Sequence, residues 1–513
     1  MPNNRAPVRG ISLTDGNAVG WVIHIVKWVG AIPACATGVS TAMKRVAAPL
    51  VFILLLLALG ATAQQASPPA ATPPPVNAPS AEFLQAADEV LAEMSKLLSL
   101  PVLSPLKKSM RTREEIREYV IRRMKEEKQP EKRYADQRAL EKFGLIPKGF
   151  QLEPFLVELL TEQIAGLYDP KSGEFFIADW INPAEQRVVM AHELTHALQD
   201  QHFKVDPWLE AAKPNDDAEL ARDAVLEGSA LAAMVDYTFR GMPKGVRDLP
   251  DLDSSMLLGD VAKSPTLAKA PPFLRDELLF PYLAGTTFTQ HVLRTTDGWA
   301  GFRKVFENPP VSTQQILHPD FYLSGVTPKP VTLPDLSSLL PDGWKKLDEN
   351  LIGEFGLREI LKQFLGDTRA RNLAPAWAGD RYAIFEHEKS KQMLLVVRLR
   401  LGSAADAARF FGNYSEALEL KYDKRRALFR RPNFFSFESD DGGVFLRCLA
   451  DQCLSLEGAG RDVFDKITRA IGWPANPSAS PDPYRTPRKT TVTTMRLPRQ
   501  AESQATALRV SVP

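Results

Sequence analysis

Residues 188–200 read VVMAHELTHALQD, and two histidines, His192 and His196, stand four positions apart in this run. Apolar side chains recur on the flanking turns, and Asn182 followed by Pro183 supplies a helix start just upstream. We therefore predict that the whole run lies on one α-helix. On such a helix, positions i and i+4 project from the same face, about one turn apart.

This spacing is typical of a metal site. Two imidazoles so placed can bind one zinc ion through their ring nitrogens, at about 2.0–2.1 Å each. Glu193 lies one step round the helix, so its carboxylate can reach a water molecule at the metal without binding the metal itself, which is the position of a general base. With 7 histidines in 513 residues, a chance H-E-x-x-H is improbable. The pattern predicts Zn²⁺ as cofactor, His192 and His196 as ligands and Glu193 as a catalytic residue.

A catalytic zinc site needs a third protein ligand and an open position for water. Glu227 follows His196 by 31 positions (227 − 196), on the next predicted helix, and antiparallel packing would bring its carboxylate onto the metal. Asp223, one turn earlier, is an alternative or a hydrogen-bond partner of a ligand histidine. His202 competes because it completes H-E-x-x-H-x-x-Q-x-x-H, but Gln199 replaces the glycine that lets such a helix stop. Glutamine is a good helix former, so the helix is expected to continue, and Glu227 is favoured.

The motif H-E-L-T-H at 192–196, with E-G at 227–228, resembles the gluzincin group of zinc metallopeptidases, of which thermolysin is the familiar member. It is also similar to uncharacterised bacterial zincin-like proteins that carry H-E-L-T-H-A-L-Q-D-Q and then an E-G-x-A helix. The resemblance implies the two histidines and Glu227 as metal ligands and Glu193 as base. The usual order of Glu and Asp on the ligand helix is reversed here, because Asp223 precedes Glu227.

Such enzymes usually add a tyrosine or histidine that stabilises the oxyanion. The candidates in this sequence are His318, Tyr322 and Tyr282. We assign His318 as the second catalytic residue beside Glu193.

The N-terminal sequence predicts export from a bacterial cytoplasm. Lys44-Arg45 precedes the apolar run Val46 to Leu59, and an Ala-x-Ala site ends at Ala63. Residues 1–63 are therefore expected to be a signal-peptide region, with Met43 as a candidate start. The apolar run is short for a membrane span, so we expect no stable membrane insertion after cleavage, a retained anchor being the alternative. The mature chain would be periplasmic or extracellular.

Charge and cysteine content narrow the function classes further. The chain has 63 basic and 62 acidic residues, without the basic excess that is usual in nucleic-acid-binding proteins, so we expect no nucleic-acid partner. The resemblance to metallopeptidases implies a protein or peptide substrate instead. Only Cys448 and Cys453 would remain after cleavage, and in an exported chain they are expected to form a local disulfide.

Sequence patterns predict an α+β protein: a mainly helical zincin-like domain with a small edge sheet, followed by a small α+β domain. The expected segments are a disordered linker at 64–80, the metallopeptidase domain at 81–330, the α+β domain at 345–474 and a disordered tail at 475–513. In the first domain we predict strands at 164–168 and 174–178, and helices from 81, at 111–128, 154–163, from 183, at 218–240, 282–295 and 298–306. In the second we predict strands at 382–386, 393–401, 434–438 and 443–448 and a helix at 404–420.

The leading hypothesis is an exported zinc-dependent metallopeptidase that hydrolyses peptide bonds, with Glu193 as general base. The alternative is a catalytically inactive zincin-like binding or scaffold protein of the cell envelope. The intact base argues against that alternative, because structural zinc sites are closed and need no base. Zinc-dependent hydrolysis of a non-peptide bond is a third hypothesis.

Overall fold

The computed structural model describes residues 79–127, 130–250 and 264–476. The predicted signal-peptide region and nearly all of the predicted linker and tail lie outside these residues. Ser80, at the end of the predicted linker, caps the first helix, because its hydroxyl accepts a hydrogen bond from the backbone N–H of Phe83 (3.1 Å).

Helices dominate the described chain before residue 330. In chain order the elements are α1 (Ala81–Leu98), β1 (Lys107–Arg111), α2 (Arg113–Glu127), α3 (Pro130–Phe143), α4 (Leu152–Gln163), β2 (Gly166–Asp169), β3 (Glu174–Ala178), α5 (Pro183–Phe203), α6 (Val205–Glu210), α7 (Asp216–Thr238), a 3₁₀ turn (Val246–Asp248), α8 (Pro265–Ala268), α9 (Pro272–Thr295), α10 (Gly298–Phe302), α11 (Lys304–Glu307), α12 (Thr313–Leu317) and α13 (Pro319–Leu323). The predicted helix at 282–295 is real but begins ten residues earlier, and the one predicted at 298–306 is split into α10 and α11.

The small predicted sheet is confirmed, with one strand more than expected. Strands β2 and β3 pair antiparallel, and β1 pairs in parallel with the other edge of β3. The sequence of β1, KKSMR, has no apolar alternation, so it could not be recognised as a strand. Helix α5 packs against this sheet, and Glu193 of the H-E-x-x-H motif contacts β2.

The C-terminal part is built on a seven-stranded antiparallel sheet with the order β4-β5-β6-β10-β9-β8-β7. Its elements are β4 (Trp344–Asn350), α14 (Gly353–Leu365), α15 (Asp367–Leu373), a 3₁₀ turn (Ala374–Ala376), β5 (Trp377–His387), β6 (Met393–Leu401), α16 (Ala404–Lys421), β7 (Arg426–Arg431), β8 (Phe434–Ser439), β9 (Gly442–Leu449), β10 (Gln452–Glu457) and α17 (Arg461–Ala470). The four predicted strands and the predicted helix are present, and the α+β class is confirmed.

The hydrophobic core is continuous between the two predicted domains. One cluster of buried side chains joins α7 and α9 to α14 and to one face of the large sheet, while α17 covers the other face. At the junction, the ring of Phe355 packs against that of Phe280, with centroids 4.4 Å apart. The described residues up to Ala475 form one compact unit. The division into domains at 81–330 and 345–474 stays a prediction.

The predicted cysteine pair is a disulfide in the structure. Cys448 and Cys453 face each other in the register of the hairpin formed by β9 and β10, and both are buried. Among the residues that the structure describes, none lies in a helix with the length and apolarity needed to span a membrane.

Candidate metal centre

Helix α5 starts at the predicted residue and holds both motif histidines on one face. It begins at Pro183, where the carbonyl of Asn182 accepts a hydrogen bond from the backbone N–H of Glu185 (2.9 Å). It continues to Phe203 without interruption. The helix therefore extends well past the motif, as the presence of Gln199 predicted.

Three nitrogen and oxygen atoms converge between α5 and α7. Nε2 of His192 lies 3.1 Å from Nε2 of His196 and 3.2 Å from Oε2 of Glu227, and the third distance, between His196 and Glu227, is 3.6 Å. All three side chains are buried. The structure thus brings together the two histidines and the carboxylate that the sequence singled out.

These distances fit a zinc ion. Ligand atoms at two corners of a tetrahedron, each about 2.0–2.1 Å from a central zinc, lie about 3.3 Å apart. The three observed separations bracket that value. Two imidazoles and one carboxylate are also the donor set of a catalytic zinc site with one position left for water.

Gln199 fixes the proton on His196. Its Oε1 lies 2.9 Å from Nδ1 of His196, while its Nε2 donates to Oγ of Ser229 (2.8 Å). Ser229 in turn donates to the carbonyl of Val225 (2.6 Å), so its oxygen must accept from Gln199, and this sets the orientation of the amide. The amide oxygen therefore faces Nδ1, which carries the proton, and Nε2 faces Nε2 of His192 and Oε2 of Glu227.

Glu193 stands beside this cluster as a buried carboxylate with one oxygen held in place. Oε2 accepts a hydrogen bond from the backbone N–H of Tyr168 on β2 (3.1 Å), and within the described residues Oε1 has no hydrogen-bond partner. Burial and the neighbouring Glu227 raise the pKa of Glu193 well above its usual range, while the Tyr168 hydrogen bond opposes that rise. Gly166 allows β2 to approach, because a Cβ there would lie 2.7 Å from Cγ1 of Val189.

Helix α7, which carries Glu227, lies in close backbone contact with α9. A Cβ on Gly228 would lie 2.0 Å from the carbonyl carbon of Gly285, and a Cβ on Gly285 would lie 2.0 Å from the carbonyl oxygen of Ala224. The two glycines thus let the helix backbones touch at the turn that carries Glu227. This close approach explains why residue 228 is a glycine. From the sequence, the E-G pair could be noted only as part of the resemblance to gluzincins.

We expect Gly228→Ala to destabilise the protein by at least about 1–3 kcal/mol, because the methyl group must force two helix backbones apart. The matched control is Gly412→Ala in α16, where a Cβ would meet nothing within 4 Å. That change should stabilise by about 0.5–1 kcal/mol, the usual gain for alanine over glycine inside a helix. Chemical denaturation of both variants measures the two effects, and equal stabilities would contradict the close helix approach.

The other two candidates for the third ligand lie outside the cluster. His202 is one residue from the end of α5, and its Nε2 lies 2.7 Å from the carbonyl oxygen of Pro101. Asp223 is buried one turn before Glu227 on α7, but it is not in the group of three converging ligand atoms.

The structure does not bring His318 to the cluster. Its Nε2 lies 2.8 Å from Oε1 of Glu354, a hydrogen bond that raises the pKa of His318. Tyr322, the second oxyanion candidate, donates its hydroxyl to the carbonyl of Asn308 (2.8 Å). Tyr282 on α9 is the candidate that lies near: its half-buried ring faces that of His192, with centroids 6.3 Å and planes 25° apart.

Sequence reasoning missed the residues that orient the site. Gln199 was noted only as a helix former, although its spacing of three from His196 placed it within reach of that ring. The Tyr168 backbone N–H carried no signal, since any residue in a strand offers one. Ser229 could have been sought on the Glu227 helix, but nothing in the sequence paired it with Gln199.

One known protein family matches part of the chain. A family described as a domain of unknown function, DUF8575, matches residues 341–464. The match covers the large sheet with most of its helices and excludes the segment from His192 to Glu227. No curated protein and no solved structure matches the chain.

Proposed function

We propose that the chain is a zinc-dependent metallopeptidase. The observation that carries the proposal is the convergence of His192, His196 and Glu227 at ligand distances, with the buried carboxylate of Glu193 beside them. The intrahelical pair, the downstream glutamate and the neighbouring base follow the gluzincin pattern that the sequence resembles. A peptide bond is the substrate class that this resemblance favours.

In the proposed reaction, zinc and the chain's own side chains have separate roles. Zinc, when bound, supplies Lewis-acid activation of water and of the substrate carbonyl. Oε1 of Glu193 accepts a proton from the attacking water and returns it to the leaving amine, while the Tyr168 N–H holds the other carboxylate oxygen in place. Gln199 keeps Nε2 of His196 free of a proton. Tyr282 replaces His318 as the candidate donor to the oxyanion, because it is the one that lies beside a ligand.

The exported location remains part of the proposal. The disulfide between Cys448 and Cys453 supports it, since such bonds persist in oxidising compartments such as the periplasm or the extracellular space. We propose a protein or peptide as the partner.

A catalytically inactive zincin-like scaffold is the second candidate, and the burial of the cluster favours it. His192 and Glu193 are fully buried, and His196 and Glu227 are 1% and 3% exposed, so a substrate needs a rearrangement to reach them. Oε1 of Glu193 has no hydrogen-bond partner in the described part of the chain, and this favours the enzyme, because a closed structural site has no use for a buried carboxylate outside the ligand set.

Metal analysis of the purified mature chain, combined with cleavage of unfolded casein, tests the proposal. We expect one zinc ion per molecule and casein hydrolysis that a chelator abolishes and added zinc restores. The double variant His192→Ala with His196→Ala should contain no zinc. Stoichiometric zinc in that variant would contradict the site, and zinc in the natural chain without hydrolysis of any unfolded protein would favour the scaffold.

A further inference from the structure

A cavity of about 500 Å³ lies at the junction between the helical part and the large sheet. Its walls come from the end of α3, the end of α16 and the turn between β8 and β9. Residues from all three meet there, including Lys142, Tyr422 and Asp441, and none of the three metal ligands lines it.

Two ammonium groups at this cavity, that of the buried Lys142 and that of the half-buried Lys421, share one buried carboxylate. Nζ of Lys421 lies 2.6 Å from Oε2 of Glu457, and the exposed fractions of their side chains are 11% and 0%. Nζ of Lys142, whose side chain is 4% exposed, donates to the hydroxyl of Tyr422 (3.2 Å), which itself donates to the same Oε2 (2.8 Å). Glu457 therefore offsets only one of the two positive charges.

Glu141 is another buried acid that lines this cavity, but it is paired with Arg138 (2.5 Å). Asp441 also pairs with Lys142, at 3.9 Å, but its side chain is 37% exposed and it pairs more closely with Lys148, at 3.2 Å. A buried, incompletely paired ammonium is costly, and deprotonation removes the cost. Burial, with help from Lys421 and Lys148, lowers the pKa of Lys142 to about 8, against the opposing pull of Glu457 and Asp441.

We propose that Lys142 is a covalent modification site, a reactive amine that condenses with small aldehydes entering this cavity. The neutral Nζ attacks the carbonyl carbon and a C–N bond forms. Both amine hydrogens leave with the carbonyl oxygen as water, giving an imine with no oxidation or reduction. The Tyr422 hydroxyl, 3.2 Å from Nζ, is positioned to relay the protons that this exchange requires.

Reductive methylation of the full chain tests the proposal. Formaldehyde forms the imine, cyanoborohydride reduces it to a stable methylamine, and peptide mass spectrometry gives the rate at each lysine between about pH 6 and pH 9. Lys148 is the internal control, because it lines the same cavity and its side chain is 75% exposed. At pH 7, about three units below the ordinary lysine pKa, we expect Lys142 to react at least about tenfold faster than Lys148.

Two variants should shift this rate in opposite directions. Lys421→Met removes a like charge and should slow the labelling of Lys142 near neutral pH, whereas Glu457→Gln removes the carboxylate that stabilises the ammonium and should accelerate it. Thermal melting checks that both variants fold, and the comparison within the unaltered chain stands without them. Equal rates at Lys142 and Lys148, or no labelling of Lys142, would overturn the proposal. Saturable binding of inorganic phosphate without labelling would overturn it too and would identify an anion site.

Discussion

Glu193→Gln should lower the rate of hydrolysis of unfolded casein by at least about a hundredfold, while the protein keeps its zinc and its fold. The amide preserves the shape of the side chain, and its oxygen can still accept the hydrogen bond from the Tyr168 N–H. It cannot accept a proton from water, and general-base catalysis contributes about 10²–10⁴-fold. Zinc should stay bound, because the three ligand atoms belong to other residues. Initial rates and metal content of the same preparation measure both halves of this expectation.

Glu185→Gln is the matched control, since it makes the same change on the same helix at a half-buried position two turns before the motif. We expect Glu185→Gln to hydrolyse casein at the same rate as the natural chain. Full activity of Glu193→Gln would show that another group is the base. If the natural chain binds zinc and neither it nor the control cleaves any protein, the inactive scaffold becomes the better description.

The parts of the structure that sequence could predict are those set by local rules. The helix that carries His192 and His196 follows from apolar residues on the flanking turns and the Asn-Pro start, and Glu227 lies on the next helix that the sequence predicts. Contacts between distant residues had no such signal. Neither the Gln199–Ser229 hydrogen bond nor the contact of Gly228 with Gly285 is visible until the helices are packed.

In the large sheet, the strands with a clear apolar pattern were the easiest to predict. Four of the five inner strands, β5, β6, β8 and β9, are rich in apolar residues and were predicted, although β5 is longer than expected. The fifth, β10 at the centre of the sheet, is a short strand that was not predicted. The edge strands β4 and β7 read WKKLDEN and RALFRR, whose charges suit a solvent-exposed edge and hide the strand pattern. His318 was predicted as catalytic from its residue type alone, and its position beside Glu354 depends on the docking of α14, which the sequence did not reveal.

The second large effect is expected on zinc affinity when the third ligand, Glu227, is removed. We expect Glu227→Ala to lower zinc affinity by more than about a hundredfold and to lose activity with it, because loss of a ligand should exceed the 10–100-fold cost of losing an outer partner. His202→Ala should keep both, since its imidazole contacts the Pro101 carbonyl near the end of α5 and lies outside the ligand group. Competition with a chromogenic chelator measures the affinities.

Asp223→Ala completes the comparison, because Asp223 is one turn from Glu227 on the same helix and equally a buried carboxylate. A modest loss of affinity would suit a residue behind the ligands, whereas a loss as large as that of Glu227→Ala would mean that the helix sits one turn out of register. Loss of zinc in His202→Ala but not in Glu227→Ala would refute the gluzincin arrangement. Circular dichroism of each variant is required first, since α7 packs on both α5 and α9 and a buried change there can unfold the site. Only a folded Glu227→Ala protein that has lost zinc identifies the carboxylate as the ligand.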